Sequence, residues 1–134
     1  MSSPSNASFR AALVQMCAGR NVARNVSDAL ALISEAAAQK ADYVQTPECT
    51  TLMEVDTERL MAETKPEKGN EALAAFSAAA ADKKIWLHIG SMAGKVGDRL
   101  LANHSYLVGP NGEISARYDK IHMFDVDLGQ GEVY

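Results

Sequence analysis

Residues 103–125 read NHSYLVGPNGEISARYDKIHMFD and contain the pattern that decides the fold. The turn residues GPNGE at 109–113 separate two β-rich runs, which predicts a hairpin of strands 100–108 and 114–123. In the second run Ile114, Ala116 and Tyr118 fall on one face, while polar residues fall on the other. The alternation loosens at Lys120, so we expect this lysine to lie at the end of a strand.

The segments before the hairpin alternate between strand and helix. Residues 9–16 (FRAALVQM) form an apolar run of strand length. A helix is predicted after Asn21, a candidate N-cap. Its apolar stripe has helical spacing and consists of Val22, Val26, Leu30, Ile33 and Ala37. Residues 41–46 (ADYVQT) form a second strand that ends at Pro47, because proline has no N–H for a sheet ladder.

The middle of the chain continues this α/β pattern. Residues 56–63 predict a short helix, and 66–69 a loop. A second long helix is predicted over 70–83, with Leu73, Phe76 and Ala80 on one side. The nearly continuous apolar run at 85–91 (IWLHIGS) is typical of a strand covered on both faces. No repeat or linker divides the chain, so we predict one α/β unit over 9–134 after a flexible polar tail at 1–8.

Composition excludes several classes of protein. The chain has 134 residues with 47% hydrophobic and 22% charged residues, as globular domains do. Its net charge of −4 and the lack of a basic run argue against nucleic acid and anionic membrane partners. No stretch suits a signal peptide or a membrane span. The two cysteines and three histidines show no metal spacing and no disulfide framework, so we expect a reducing, cytoplasmic location.

Two residues are candidates for catalysis. Glu48 follows the second strand at its carboxyl end, where catalytic groups gather in parallel sheets, and it offers a general base. Lys120 at its strand end offers a cation that stabilises an oxyanion. Each also has an ordinary structural interpretation. A glutamate after a proline is often a solvated loop residue, and a lysine near a strand end is often a surface charge.

The other polar residues have weaker functional interpretations. His88 and His104 are expected to be core histidines with hydrogen-bonded rings. His122 shares the face of Lys120 and could either orient neighbouring groups or serve a structural role. Cys17 is expected to be a small buried hydrophobe. The acidic residues after the lysine form either a substrate-facing carboxylate or a solvated loop, and they are Asp125, Asp127 and Glu132.

Three blocks of the sequence together resemble the carbon–nitrogen hydrolase, or nitrilase, superfamily. They are FRAALVQM, VQTPEC at 44–49, and 103–125 with its specific Tyr-x-Lys-x-His-x-Phe-Asp block. The resemblance runs from about Phe9 to the last residue. It implies a four-layer α-β-β-α sandwich and a Glu-Lys-Cys triad that hydrolyses amides, nitriles or carbamoyl groups. By motif match Glu48 resembles the general base and Lys120 the triad lysine.

The family's cysteine would lie past Tyr134, so the resemblance implies a fold that is truncated before the nucleophile segment. The sequence KIHMFD at 120–125 is most similar to that of amidases of the small ω-amide or deaminated-glutathione type. The resemblance also implies a small amide substrate once a C-terminal half completes the chain. It implies no cofactor, and a homo-oligomer in the complete protein.

Two hypotheses for function remain open. In the first, the chain is the N-terminal portion of a cysteine amidase. In the second, it is a non-catalytic remnant that binds a small amide or a partner chain. Cys49 is not expected to replace the missing nucleophile, because adjacent residues of an extended chain point to opposite sides. Half a sandwich leaves apolar surface uncovered, so we predict that the chain alone is oligomeric or poorly soluble, and inactive on amides.

Overall fold

Five strands form one mixed sheet in the computed structural model, which describes residues 8–122. In sheet order, which is also chain order, they are β1 (Ala11–Leu13), β2 (Tyr43–Gln45), β3 (Trp86–Gly97), β4 (Leu100–Val108) and β5 (Ile114–Asp119). The first three strands are parallel, and β3, β4 and β5 pair antiparallel. The predicted α/β class and the predicted hairpin are therefore confirmed.

Three helices connect the parallel strands, and each begins at a side-chain cap. They are α1 (Val22–Ala38), α2 (Thr57–Glu63) and α3 (Glu71–Lys83). The cap side chains of Asn21, Asp56 and Asn70 each accept a backbone N–H from three residues later, at 2.8–3.1 Å. Because these bonds satisfy N–H groups that have no partner inside the helix, they fix where each helix starts.

The buried face of α1 differs from the predicted stripe by one position. Its buried residues are Asn25, Ala29, Ile33 and Ala36, whereas Val22 and Val26 are only half-buried. The reason is Asn25, whose amide donates to the carbonyls of Gly19 (2.7 Å) and Thr51 (2.9 Å). A polar residue therefore occupies the centre of the buried face, and a search for apolar periodicity cannot find it.

The core lies between the helices and one face of the sheet. Its largest members include Ile33, Phe76, Leu87 and Tyr106, all at most 2% exposed. The prediction that the 85–91 strand is covered on both faces is wrong for the described residues. Leu87 is buried under the helices, but Trp86 on the other face is 42% exposed. The apolar run reflects two different environments, only one of which is covered within residues 8–122.

The sheet face opposite the helices, here called the open face, combines exposed apolar residues with a row of polar ones. Leu13, Trp86 and Tyr118 are exposed there. Across β2, β3 and β4, the Tyr43 hydroxyl lies 2.7 Å from Nδ1 of His88, and Nε2 of His88 lies 2.8 Å from Oγ of Ser105. Tyr43 also donates to Oε1 of Gln45 at 3.0 Å. The expected hydrogen-bonded ring of His88 is confirmed, although the residue is half-buried.

No helix within residues 8–122 is both long enough and apolar enough to cross a membrane. Residues 1–7 of the predicted tail and residue 123 of the predicted last strand lie outside the described residues.

Candidate active site

Glu48 lies in a loop that leaves β2 and is fastened to β3. Ser91 makes three of the bonds that hold this loop. Its N–H donates to the Pro47 carbonyl (3.2 Å), its carbonyl accepts from the Thr50 N–H (2.9 Å), and its hydroxyl oxygen accepts from the Cys49 N–H (3.0 Å). The pairing register of β3 shifts between Ile89 and Met92, which frees the backbone of Ser91 for this role.

Two threonines and a glycine also hold the loop of Glu48 against β3. The Thr50 hydroxyl donates to the Pro47 carbonyl (2.7 Å) and lies 2.8 Å from the Thr46 hydroxyl. The Gly90 N–H donates to that Thr46 hydroxyl at 3.3 Å. A Cβ atom at Gly90 would lie 2.3 Å from the Thr46 carbonyl oxygen, so only glycine permits the loop to approach β3 this closely.

Lys120 reaches Glu48 from β5, the strand at the far edge of the sheet. It follows β5, and its N–H donates to the Asn103 carbonyl at 2.9 Å, which keeps it beside β4. Strands β2 and β5 are three interstrand spacings apart, roughly 14 Å. The loop of Glu48 covers part of that distance and the lysine side chain covers the rest. As a result, Nζ of Lys120 forms an ion pair with Oε1 of Glu48.

The structure thus brings together the two site residues predicted from separate motifs. They are 72 positions apart in the chain, and their side chains are 37% exposed for Lys120 and 61% for Glu48. An accessible carboxylate can accept a proton, and an ammonium fixed beside it can stabilise negative charge on a carbonyl oxygen. The arrangement is suited to acid–base chemistry on a carbonyl compound.

Cys49 is the thiol closest in sequence to this pair. The backbone turns sharply there, with a φ of 52° in the left-handed region, and the residue is half-buried. Burial raises the pKa of the Cys49 thiol, the Glu48 carboxylate raises it further, and Lys120 opposes both. Because the thiolate is the nucleophilic form, this environment makes Cys49 a poor nucleophile.

The remaining predicted residues have mixed outcomes. The expectation that Cys17 is buried is wrong, because the residue is exposed in the loop between β1 and α1. His122 is exposed. The three acidic candidates after the lysine lie outside the described residues, and they are Asp125, Asp127 and Glu132.

A network of charged residues beside Lys120 was missed from the sequence. Glu67, in the loop between α2 and α3, accepts from Arg117 at 2.7 Å and from the Tyr106 hydroxyl at 3.1 Å. Asp119 lies 2.7 Å from Nδ1 of His104, which is 3% exposed as expected of a hydrogen-bonded core histidine. The network holds the end of β5, and it was missed because nothing in the sequence of the 66–69 loop indicates a partner on a distant strand.

Hydrogen bonding changes the proton affinity of this network. The bond from Arg117 holds the pKa of Glu67 below its ordinary value, burial opposes that shift, and the Tyr106 hydroxyl adds to it. Burial and the neighbouring Glu67 carboxylate raise the pKa of Tyr106. Both groups therefore keep the charge states that their hydrogen bond requires. Within the described residues, no group of three or more histidine, cysteine or acidic side chains is placed to hold a metal ion.

Sequence relatives have names that agree with this chemistry. The human omega-amidase NIT2 is 33% identical over 121 residues, which cover 90% of this chain and 43% of that protein. A deaminated glutathione amidase of Synechocystis is 31% identical over 130 residues, or 94% of this chain and 46% of that protein. This chain therefore spans less than half the length of these curated relatives.

Solved structures agree with the fold. The NitFhit protein of C. elegans superposes with a TM-score of 0.81 at 21% identity, covering 94% of this chain and 31% of that one. An amidase from Nesterenkonia superposes with a TM-score of 0.77 at 24% identity, covering 91% of this chain and 47% of that one. The carbon–nitrogen hydrolase family model matches residues 10–134. Since that match takes in almost the whole sequence, including the loop of Glu48 and the strand before Lys120, the chain belongs to the carbon–nitrogen hydrolase family.

Proposed function

We propose that residues 9–134 are the N-terminal part of a cysteine-dependent amidase domain that releases ammonia from a small linear amide. The observation that carries this proposal is the ion pair between Glu48 and Lys120, which joins two motifs that are 72 positions apart in the chain. In this proposal Glu48 is the general base and Lys120 stabilises the oxyanion. Two free cysteines support a reducing, cytoplasmic location.

The first half of the reaction forms a thioester. Glu48 takes the proton of the nucleophilic thiol, and sulfur bonds to the amide carbon as the carbonyl π electrons move to oxygen. Lys120 donates to that oxyanion from a position fixed before the reaction, which avoids reorganisation. When the tetrahedral intermediate collapses, the C–N bond breaks and Glu48 gives its proton to the departing ammonia.

The second half restores the enzyme. Glu48, again a carboxylate, takes a proton from water as the water oxygen attacks the thioester carbon. Lys120 stabilises the second oxyanion in the same way. Collapse breaks the C–S bond, releases a carboxylic acid and returns the proton to sulfur. Glu48 therefore transfers protons in both halves, and Lys120 stabilises charge in both.

The nucleophile in this proposal comes from beyond Tyr134 rather than from Cys49. The raised pKa of Cys49 argues against its ionisation, and the backbone of that residue is engaged in fastening the loop. Structures of the Nesterenkonia amidase have acrylamide, and the acetamide moiety of fluoroacetamide, added at the active-site cysteine. That relative supports a thiol nucleophile that reacts with small amide compounds.

The proposed substrate class is a small linear amide. The relatives include omega-amidases and deaminated glutathione amidases, which supports an amide rather than a nitrile or a carbamoyl compound. Succinamate is a suitable probe, because it has one primary amide on a short chain.

The test compares ammonia release from succinamate by the chain alone and by the chain fused to the part of human omega-amidase that lies outside the matched 121 residues. We expect no release from the chain alone and turnover from the fusion. In the fusion, Glu48→Gln and Lys120→Met should each lower kcat by about a hundredfold or more, because each removes a group that acts in the transition state. Glu58→Gln, at an exposed residue of α2, is the matched control and should leave kcat unchanged.

Two outcomes would contradict the proposal. One is an active fusion that keeps its rate without Glu48 or without Lys120. The other is ammonia release by the chain alone that Glu48→Ala abolishes, since the 134 residues would then contain their own nucleophile.

The exposed apolar residues of the open face favour a second candidate, a non-catalytic chain that pairs with a partner chain through that face. A correctly folded fusion that shows no turnover, combined with stable association of the separate parts, would favour this candidate.

A further inference from the structure

A cavity of about 650 Å³ lies on the helix side of the sheet, away from the Glu48–Lys120 pair. It opens between the N-terminal ends of α1 and α3 and one side of α2, and neither Glu48 nor Lys120 lines it. Its apolar wall includes Val26, Leu52 and Met92. The volume falls within the range of roughly 300–1,000 Å³ that is usual for small-molecule sites.

A buried carboxylate holds two arginines at this cavity. The side chain of Glu54 is 1% exposed, and Nε of Arg20 (3.3 Å) and Nε of Arg59 (3.2 Å) lie against its two oxygens. One of those oxygens also accepts the N–H groups of Val55 and Asp56. A buried carboxylate is costly, and the proposed amidase reaction does not use this one. It forms ion pairs with two guanidinium groups that both line the cavity.

The arginines keep donors that a ligand can reach. Both contacts with Glu54 use Nε, and the side chains of Arg20 and Arg59 are 60% and 56% exposed. Terminal guanidinium N–H groups in this arrangement suit a carboxylate, which accepts two parallel hydrogen bonds.

Acidic residues line the same cavity. Glu63 lies one helical turn after Arg59 on α2, so the two side chains occupy neighbouring positions on one face of the helix. Glu71 in the first turn of α3 and Lys65 also line the cavity. A simple anion would meet the two glutamates, and a simple cation would meet the basic residues. A molecule with both charges fits this lining better than either.

The side chain of Asn25 and the backbone of β3 hold segments around the cavity through hydrogen bonds. Asn25 joins the loop at Gly19 to the loop at Thr51 through three hydrogen bonds of 2.7–3.0 Å. The Lys95 N–H of β3 donates to the Lys65 carbonyl at 3.0 Å, which holds the segment after α2 against the sheet. These bonds anchor the loop before Arg20 and the segment after α2, whereas α2 itself has no buried residue and is tied here through the ion pair of Arg59 with Glu54.

We propose that this cavity binds a small zwitterion, an α-amino acid with an apolar side chain. Its carboxylate lies against the guanidinium groups of Arg20 and Arg59, and its ammonium lies against Glu63. Its side chain packs along the wall formed by Leu52 and Met92. The site is separate from the proposed amidase site, and its occupancy does not depend on amide hydrolysis.

The test is an NMR titration of backbone amides in the full 134-residue chain with three matched probes, carried out with Leu13→Lys, a substitution on the open face outside the cavity that is expected to reduce association. L-leucine carries both charges, isocaproate lacks the ammonium, and isoamylamine lacks the carboxylate. We expect leucine to give saturable shifts at Thr51, Ala72 and Ala93, which line the cavity. Each single-charge probe should bind roughly tenfold or more weakly, since each lacks one charge-assisted contact.

Charge-removing variants assign each contact. Glu63→Gln should weaken leucine and isoamylamine but leave isocaproate unchanged, because only the ammonium contact is lost. Glu63 is exposed at the end of α2, so this variant is expected to fold normally. Arg59→Gln should weaken leucine and isocaproate and leave isoamylamine unchanged. Arg99→Gln, in an exposed ion pair with Glu58 outside the cavity, is the matched control.

Three results would overturn the proposal. The first is a folded chain in which leucine causes no saturable shift at the cavity amides. The second is isocaproate or isoamylamine binding as tightly as leucine, which would mean that a single charge is sufficient. The third is leucine binding that Glu63→Gln leaves unchanged. None of these results depends on ammonia release, so failure here is distinguishable from failure of the amidase proposal.

Discussion

At the scale of single residues, the position of Glu48 depends on a neighbour that has no side chain. Gly90 lets the loop of Glu48 lie directly against β3, and Ser91 then bonds to that loop from both its backbone and its hydroxyl. The atoms that a Cβ at Gly90 would meet are backbone carbonyl atoms of Thr46 and Pro47, which cannot rotate away as a side chain could. A methyl group at this position must therefore move the loop.

This contact predicts a large difference between two glycine substitutions. Gly90→Ala should lower the free energy of unfolding by about 2 kcal/mol or more, since overpacking against fixed atoms costs that much. Gly19→Ala is the control, because a methyl group there would have no atom within 4 Å and the φ of Gly19 is not positive. It should change stability by no more than about 0.5 kcal/mol. Urea denaturation of both variants measures the difference, and equal stabilities would contradict the close contact.

At the scale of helices and strands, local signals predicted most of the boundaries. The predicted N-cap of α1, Asn21, is confirmed, and the prediction for α3 is confirmed in its extent and in its buried residues Leu73, Phe76 and Ala80. Capping and apolar periodicity act within one element, so the sequence of that element contains them. The face of α1 and the uncovered side of β3 depend instead on contacts with other segments. For that reason the prediction for β3 failed and the prediction for α1 was correct only in part: Ile33 is buried and Val26, Leu30 and Ala37 pack against the core, but the buried Asn25 was not predicted.

The same distinction applies to the candidate site. Glu48 and Lys120 could be chosen because each stands in a recognisable motif at a strand end. The residues that hold them could not be chosen. The bonds from Ser91 to the loop of Glu48 depend on a register shift in β3. The ion pair of Glu67 depends on Arg117, which is 50 positions away in the chain. Such contacts between distant segments leave no local pattern in a single sequence.

The link between Glu67 and β5 predicts a pH dependence of stability. Because the folded state lowers the pKa of Glu67 below its ordinary value of 4.5, its carboxylate stabilises the fold above that pH. The contribution is lost as the pH falls from about 4.5 through the lower folded value. The free energy of unfolding of the wild type should therefore approach that of Arg117→Gln as the pH decreases. The effect is small, because the Glu67 side chain is 37% exposed and solvent screens the pair.

Urea denaturation of the wild type, Arg117→Gln and Glu67→Gln at neutral and acidic pH measures this dependence. Both variants should respond to acid less than the wild type does, since each removes one member of the pair. A stability difference between the wild type and Arg117→Gln that is constant with pH would contradict the assignment.

At the scale of the whole molecule, the sheet is covered by helices on only one side within residues 8–122. The open face presents Leu13 at 77% exposure, Trp86 at 42% and Tyr118 at 55%. Several large apolar side chains exposed on one sheet face favour association. The expectation of an oligomeric or poorly soluble chain follows from this surface.

A charge placed on the open face should reduce that association. Leu13→Lys is expected to weaken self-association by about tenfold, because it puts a solvated ammonium into an apolar contact. Val55→Lys is the matched control, since Val55 is similarly exposed at 71% but lies in the loop before α2. Analytical ultracentrifugation over a range of concentrations measures both. A wild-type chain that stays monomeric at every concentration would contradict the prediction.

On the open face, the hydrogen bonds with Tyr43 and Ser105 determine which ring nitrogen of His88 carries a proton. Tyr43 has one hydroxyl proton and donates it to Gln45, so Nδ1 of His88 must carry its own proton to bond the same oxygen. Nε2 then accepts from Ser105 when the ring is neutral. When the ring is charged, Nε2 donates to Ser105, whose proton turns to the Ile89 carbonyl 3.2 Å away. Every atom in the row keeps a partner in either state. A second layer could therefore cover this face without leaving any of these atoms unpaired, whichever charge the imidazole carries.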